Sequence, residues 1–385
     1  MERLALPRII YHGGGSLSAL PKALAQLGVH RPFIVTDPFL AASGLLDALT
    51  DMLDADGIGY GLFTQCVADP TTTVIDAAVA ALQQTECDCV IGFGGGSPID
   101  TAKAIAVLAG RAIGYNELKV PAQIDEPGLP VVAVPTTAGT GSEATRFTII
   151  SNQETGEKML CAGLAFLPTA AIVDFELTMG MPRRLTADTG IDSLTHAMEA
   201  YVSRLANPFS DAMALSAMRL LAANIRTACS EPDNRAAREA MMTGAHQAGI
   251  AFSNASVALV HGMSRPIGAL FHVPHGLSNA MLLPAVTRFS VPGAVGRYAD
   301  CARACGYAAA HEGDQGAAAR LIEALQALNA DLDVPTPAAY GIDAAAWHDN
   351  IPLMATQAVQ SGSPANNPRA PSVAEIEALY REVWG

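Results

Sequence analysis

Two hydrophobic periods divide this chain, and the change from one to the other limits its fold more than any other feature. Up to about residue 180, short apolar and β-branched runs recur: FIVTD (33–37), YGLFTQ (60–65), CVIGFG (89–94), VVAVPTT (131–137) and TAAIVDF (169–175). Several are apolar on both faces. A strand of that kind cannot leave one face in water, so the pattern predicts a largely parallel sheet covered by helices on either side. From residue 183 onward the strand signals fade, and long Ala/Leu/Met-rich helical segments such as DAMALSAMRLLAANIRTA (211–228) and DQGAAARLIEALQALNADL (314–332) take over. With 385 residues the chain is long enough for two cores, since a single core stops growing at roughly 250–300 residues. The expected organisation is an α/β domain over 1–182 and an all-α domain over 183–385. No Gly/Ser linker separates them, so MGMPRRLT (179–186) reads as a packed hinge, and a cleft between the domains is the expected place for a ligand. Near the end, Ser372 and Glu375 have the spacing of a capping box.

Charge excludes several partners. The formal net charge is −14, from 23 basic and 37 acidic side chains without a Lys/Arg run, which argues against nucleic acid and against an anionic membrane surface. No apolar run reaches the roughly 20 residues needed to cross a bilayer. The N-terminal MERLALPRIIYHGGG lacks the features of a cleaved leader, so a cytoplasmic protein is expected. Seven cysteines, with Cys87 and Cys89 too close for a CxxC pair, read as reduced and mostly buried thiols.

GFGGGSPIDTAKAIAVLAG (92–110) follows a predicted strand and opens a predicted helix, with Ser97 as N-cap and Pro98 at the first helical position. Gly94, Gly95 and Gly96 permit a close approach of backbone to ligand, and the free N–H groups of the helix start favour an anion such as a pyrophosphate. A glycine run alone is also what a plain tight turn needs, and that is the reading for the similar run Gly13 to Gly15. The later run has a partner motif. TTAGTGSE (136–143) follows the strand VVAVP, and its hydroxyls suit phosphate and ribose. Two such loops after two strands of one Rossmann-like sheet share an edge, which predicts dinucleotide binding. Asp37, ending FIVTD, is either the acid for a ribose diol, which would favour NAD over NADP, or a turn residue before Pro38. Lys103 either neutralises phosphate or lies on a solvated helix face.

In TGIDSLTHAMEAYVS (189–203), Asp192 and His196 are four apart and share one helix face. His261 sits in a second apolar helix, SVALVHGMSRPIGALF, and His275 follows Pro274 in an expected loop. Singly these are ordinary: a surface ion pair, a hydrogen-bonded core histidine, a loop residue. Together, one carboxylate and three imidazoles make a shell for a divalent first-row metal, and a metal would offset the cost of burying them in apolar surroundings.

GGGSPIDTAKAI, PTTAGTGSE, IDSLTHAMEAY and the HG…PHG stretch, in this order and spacing, resemble the iron-containing (group III) alcohol dehydrogenases. The resemblance runs from IIYHGGGSL to NNPRAPSVAEIEALY (366–380). It implies an N-terminal NAD(P) domain and a C-terminal helical domain holding Fe²⁺, Zn²⁺ or another divalent ion. The implied metal ligands are Asp192, His196, His261 and His275. The implied cofactor positions are Asp37, Gly94, Gly95, Gly96, Ser97, Asp100, Thr136, Thr137, Thr140 and Lys158. The implied reaction is hydride transfer between the nicotinamide and a small alcohol or aldehyde. A homodimer or larger homo-oligomer is implied too, with the strand IIYH free to pair across a two-fold axis.

One position departs from the pattern. Many relatives carry a further histidine four residues after the third ligand, and here that residue is Arg265. A guanidinium stays charged and cannot relay protons, so water or His272 is the expected proton route. Arg265 itself reads either as a contact for an anionic group on the substrate or as half of a structural ion pair. Phe147, Phe252 and Asn254 are further candidates for substrate contact. A maleylacetate reductase or a glycerol dehydrogenase-like enzyme would share the architecture, and a metal- and NAD-binding sensor without turnover would share the motifs.

Overall fold

In the computed structural model, which describes residues 3–111 and 113–385, the chain forms two compact units, Met1–Gly180 and Met181–Gly385. The first holds strands β1 (Ile9–His12), β2 (Pro32–Val35), β3 (Gly61–Phe63), β4 (Cys89–Gly94), β5 (Val131–Pro135), β6 (Phe147–Ser151), β7 (Lys158–Ala162) and β8 (Ala170–Val173). Its helices are α1 (Leu20–Leu27), α2 (Pro38–Ala42), α3 (Leu45–Ala55), α4 (Thr72–Gln83), α5 (Gly96–Leu108) and α6 (Tyr115–Leu118). Six strands form one sheet in the order β1-β8-β5-β4-β2-β3, and every neighbouring pair is parallel.

Alternation within the strands explains why the sheet is covered twice. In β2 and β4, Phe33, Val35 and Val90 enter one apolar cluster, while Ile34, Ile91 and Phe93 enter another. In β5 Val131 joins the first cluster, and Val132 and Val134 join the second. Successive side chains point to opposite faces, so a strand that is apolar at every residue feeds two cores. At the sheet's two edges the pattern changes: β1 alternates between partly buried and exposed residues, and Leu62 of β3 is exposed.

The hairpin β6–β7 is antiparallel and stands apart from the main sheet. Its two short polar-flanked strands carry no strong sequence signal. Lys103 of α5 anchors it. The side chain is fully buried, and its ammonium donates to Thr145 O at 3.1 Å, Thr145 Oγ1 at 3.0 Å and Phe147 O at 2.8 Å. Burial lowers its pKa to about 8, against the pull of Asp100 and Glu143. Lys103 therefore lies on no solvated face, contrary to one of its two sequence readings.

The second unit is helical: α7 (Arg183–Val202), α8 (Pro208–Ser230), α9 (Arg235–Ala255), α10 (Leu259–Phe271) and α11 (His275–Ser290), followed by further helices that include Asp314–Asp331, Ala344–Gln360 and Val373–Glu382. From Thr186 to Val202 every residue of α7 except Thr189 is buried, so this helix is the unit's centre. The capping box of Ser372 and Glu375 forms as expected. No helix among the described residues is long and apolar enough to cross a membrane.

Gly94 ends β4 at φ +150°, and a Cβ there would lie 2.6 Å from Pro98 Cγ. Both the backbone angle and the contact reject a side chain. Gly94→Ala is expected to lower unfolding free energy by roughly 1–3 kcal/mol, measured by urea denaturation of the two proteins side by side. An unchanged midpoint would show that the turn can relax.

Candidate active site

In the first unit, residues from three neighbouring strands gather at one sheet edge. Asp37 follows β2, Gly94 ends β4 and Gly95 to Ser97 follow it, and Thr136 to Thr140 follow β5; β2 pairs with β4 and β4 with β5, all parallel. The chain runs outward from β2 to β3, then crosses back to β4 on β2's other side. That reversal of winding opens a crevice at the carboxyl ends of β2 and β4, the usual ligand position in sheets of this type.

The two loops touch. Thr136 N donates to Gly94 O at 3.0 Å, and a Cβ on Gly96 would meet Thr140 Cγ2 at 2.9 Å. Helix α5 begins at Gly96 with Gly95 as its N-cap, so Ser97 lies in the first turn instead of capping it. The reason is that Gly95 already supplies the extended backbone the cap needs.

The remaining sequence candidates have protein partners. Asp37 caps α2, with Oδ1 accepting from Leu40 N at 2.9 Å, which is the turn role; its other oxygen is not used in that cap. Asp100 accepts from Ser142 Oγ at 2.6 Å and from Ile149 N at 3.0 Å, and so braces α5 against the threonine loop and β6. Burial raises its pKa, opposed by Lys103. Lys158 forms an ion pair with Asp69 at 2.8 Å.

In the second unit, Asp192, His196, His261 and His275 converge: one donor atom from each lies within 4.8 Å of all the others. Asp192 Oδ1 is 3.8 Å from His196 Nε2, 3.5 Å from His261 Nε2 and 3.8 Å from His275 Nε2. Four donors at about 2.1 Å from a tetrahedral ion stand about 3.4 Å apart, so the three distances from Asp192 are close to those a first-row dication needs. Burial alone would raise the Asp192 pKa, but the three histidines outweigh it and hold the carboxyl well below its usual range.

Three local features produce the convergence. Asp192 and His196 are one turn apart on α7. His275 is the first residue of α11, with Pro274 as N-cap, and is not in a loop. An extended proline is a natural last residue before a helix, and the helix start fixes the direction of the ring. Gly276 then allows α11 to touch α7, since a Cβ there would sit 2.4 Å from Asp188 O.

Glu199 was missed in the sequence, although its spacing of seven and three residues from Asp192 and His196 placed it on their face of α7. It is buried, and it accepts from Ala258 N at 2.9 Å, Val260 N at 2.6 Å and His261 N at 3.4 Å. Its Oε2 also lies 2.7 Å from His261 Nδ1. One carboxylate thus caps α10 and accepts from the His261 Nδ1–H, which leaves the Nε2 lone pair of His261 facing the other donors. Burial lowers the His261 pKa, but bonds to Asp192 and Glu199 more than restore it, and the net shift is upward. Asn279, also missed, brings Nδ2 within 2.7 Å of Asp192 Oδ1 and 3.1 Å of His261 Nε2.

The walls differ in polarity. Phe252 stacks on His196 with ring centroids 4.2 Å apart, and His196 stacks on His261 at 4.4 Å. Asn254 is buried and donates to Ile250 O. Phe147 belongs to the other unit, where its carbonyl receives Lys103. The His275 side chain is 39% exposed, while those of Asp192, His196 and His261 are 6% or less, so the cluster opens on the His275 side.

Comparison with known proteins agrees with this constellation. Residues 7–175 match the family model described as iron-containing alcohol dehydrogenase, and residues 186–384 match that of the Fe-containing alcohol dehydrogenase family, C-terminal. The chain belongs to the iron-containing alcohol dehydrogenase family. It is 34% identical to lactaldehyde reductase of Escherichia coli strain K12 over 100% of both chains. It is 35% identical to 1,3-propanediol dehydrogenase of Klebsiella pneumoniae over 98% of each chain. A solved 1,3-propanediol oxidoreductase superposes with a TM-score of 0.95 at 34% identity, covering 100% of both chains. This iron-containing alcohol dehydrogenase is thus an oxidoreductase with the two-domain fold of its relatives, and its Asp/His group fits metal binding.

Within this family member, Glu199 gives a direct test of the site's construction. Glu199→Gln keeps the shape but cannot accept from every backbone N–H and the imidazole at once. Its affinity for Zn²⁺, measured by competition with a chromogenic chelator, is expected to fall about 10–100-fold. Equal affinity in the two proteins would reduce Glu199 to a helix cap.

Proposed function

We propose that this dehydrogenase transfers hydride between NAD and a small primary alcohol or aldehyde, with a divalent metal held by Asp192, His196, His261 and His275. The convergence of those four donors in a buried, partly open pocket carries the reading. Fe²⁺ suits one carboxylate with three imidazoles, and Zn²⁺ suits it as well. When bound, such an ion supplies Lewis acidity toward an alcohol or carbonyl oxygen, which serves both directions of the reaction.

The protein's own groups do the rest. Glu199 keeps His261 in the tautomer with a free Nε2. The Phe252 ring covers one face of His196 and excludes water there. The exposed flank of His275 is the approach for substrate. Backbone N–H groups of the Gly94–Ser97 turn receive the pyrophosphate, and hydroxyls of Thr136, Thr137 and Thr140 complete its hydrogen bonds. The second carboxylate oxygen of Asp37 accepts from the ribose diol, and its charge disfavours a 2′-phosphate. His272 caps α10 at φ 54° with an exposed side chain, and we assign its ring nitrogen, with water, the passage of the substrate proton to solvent. Exposed Ile10 on the edge strand β1, with exposed Leu4 and Leu6 before it, supports pairing with a second copy.

Protein purified without oxygen and loaded with Fe²⁺ or Zn²⁺ is expected to oxidise NADH with propanal, and exhaustive chelation should abolish the rate until metal is returned. Full activity in stripped protein would sink the metal reading. Asp37→Ser should shift the ratio of kcat/KM for NADPH over NADH upward by at least about 10-fold, the scale of one relieved charge repulsion. An unmoved ratio would leave Asp37 with its capping role alone.

A further inference from the structure

A single stripe runs along α10 from the metal site toward its C-terminus. His261, Arg265 and Gly268 follow one another at intervals of four and three residues, so they share one face, and His272 caps the helix beyond them. The cation on this stripe lacks a counter-charge. Arg265 is partly buried; it donates from one terminal nitrogen to Ser363 Oγ at 3.0 Å, and its Nε is buried without a partner. Among the described residues no carboxylate lies within ion-pairing distance of it. The acid whose charge it feels is Glu199, which already serves three backbone N–H groups and the His261 ring. The structural ion pair considered from the sequence is therefore not formed. Burial pulls the guanidinium pKa down, yet the group remains charged. A partly buried, charged guanidinium whose Nε is enclosed without a partner is costly to keep unless something pairs with it.

Resting on the dehydrogenase reading above, we infer that Arg265 and the Ser363 hydroxyl form a subsite for an anionic group carried by the substrate. The spacing limits the substrate's length. Four residues of helix rise about 6 Å, which sets the spacing along the axis between His261 and Arg265 on their shared face. An oxygen held at the metal donors and an anion held at Arg265 then belong to one short molecule, with two to three carbons between them. A carboxylate matches the planar fork in a bidentate pair, whereas a sulfonate or phosphonate offers three oxygens to the guanidinium and to Ser363 together.

The test compares metal-loaded wild type with Arg265→Gln, Arg265→Lys and Ser363→Ala. Each is assayed with NADH against 4-oxobutanoate and 2-oxoethanesulfonate as anionic aldehydes, and against butanal and propanal as neutral ones. Wild type is expected to favour the anionic aldehydes. Arg265→Gln should lower the anionic-to-neutral ratio of kcat/KM at least about 10-fold, the scale of one charge-assisted hydrogen bond, mainly through KM. Arg265→Lys should recover part of it, and Ser363→Ala should lower it less. Carboxylate and sulfonate arms show which geometry the fork prefers. Calorimetric binding of 4-hydroxybutanoate to the same proteins reads the subsite without turnover. No preference in wild type, or a ratio unmoved in folded Arg265→Gln, would overturn the proposal. If Arg265→Gln fails to fold by circular dichroism, the other two variants decide by the same criteria. If no aldehyde is reduced, the dehydrogenase reading fails, and loss or persistence of 4-hydroxybutanoate binding in the variants still judges the subsite.

Discussion

The buried carboxylate of Glu199 is the constraint on which the metal-binding half depends. A helix that starts inside a protein needs acceptors for its first N–H groups, and α10 finds them in this one side chain. The same oxygens hold the His261 ring. Helix start, ring orientation and tautomer are thereby set together, so α10 cannot shift along α7 without losing all three. Charge adds to this coupling: Asp192 stays ionised in a nearly dry pocket because three imidazoles face it, and the imidazoles face it because α7, α10 and α11 are locked in register.

In the first unit the corresponding constraint is the parallel sheet itself. Parallel pairing puts the ends of β2, β4 and β5 side by side, so sequence-distant residues such as Asp37, Gly94 and Thr136 come to lie along one sheet edge. Lys103 and Asp100 then fix the loops from behind. Their polar atoms are consumed by Thr145, Phe147, Ser142 and β6, which explains why residues inside a ligand-like motif serve the scaffold here.

Much of this was legible in the sequence, for identifiable reasons. Strands apolar at every position gave the covered sheet, and the loss of that pattern near residue 183 gave the helical half. The Asp192/His196 pair was readable because helical spacing alone puts it on one face. What failed was whatever depends on partners distant in the chain. Glu199 looks like an ordinary helix acid until α10 arrives against it, and Asn279 looks like a polar interruption of α11 until its amide reaches Asp192. The sequence leaves Lys103 open between a phosphate contact and a solvated helix face, because nothing local announces the hairpin β6–β7 that buries it. Pro274 signals a break and so suggests a loop at His275, but the same proline equally well precedes a helix.

All four donor side chains come from the segment between Asp192 and His275, inside the C-terminal unit, whereas every dinucleotide candidate lies before residue 160. Inheritance can therefore act on the two halves separately. Changes in the glycine and threonine loops can act on the proposed nucleotide site without displacing the four donors, and substitutions along α10 can act on the donors' surroundings without displacing those loops. A lineage built this way can diversify its chemistry by piecemeal exchange, with no need to rebuild both halves in step.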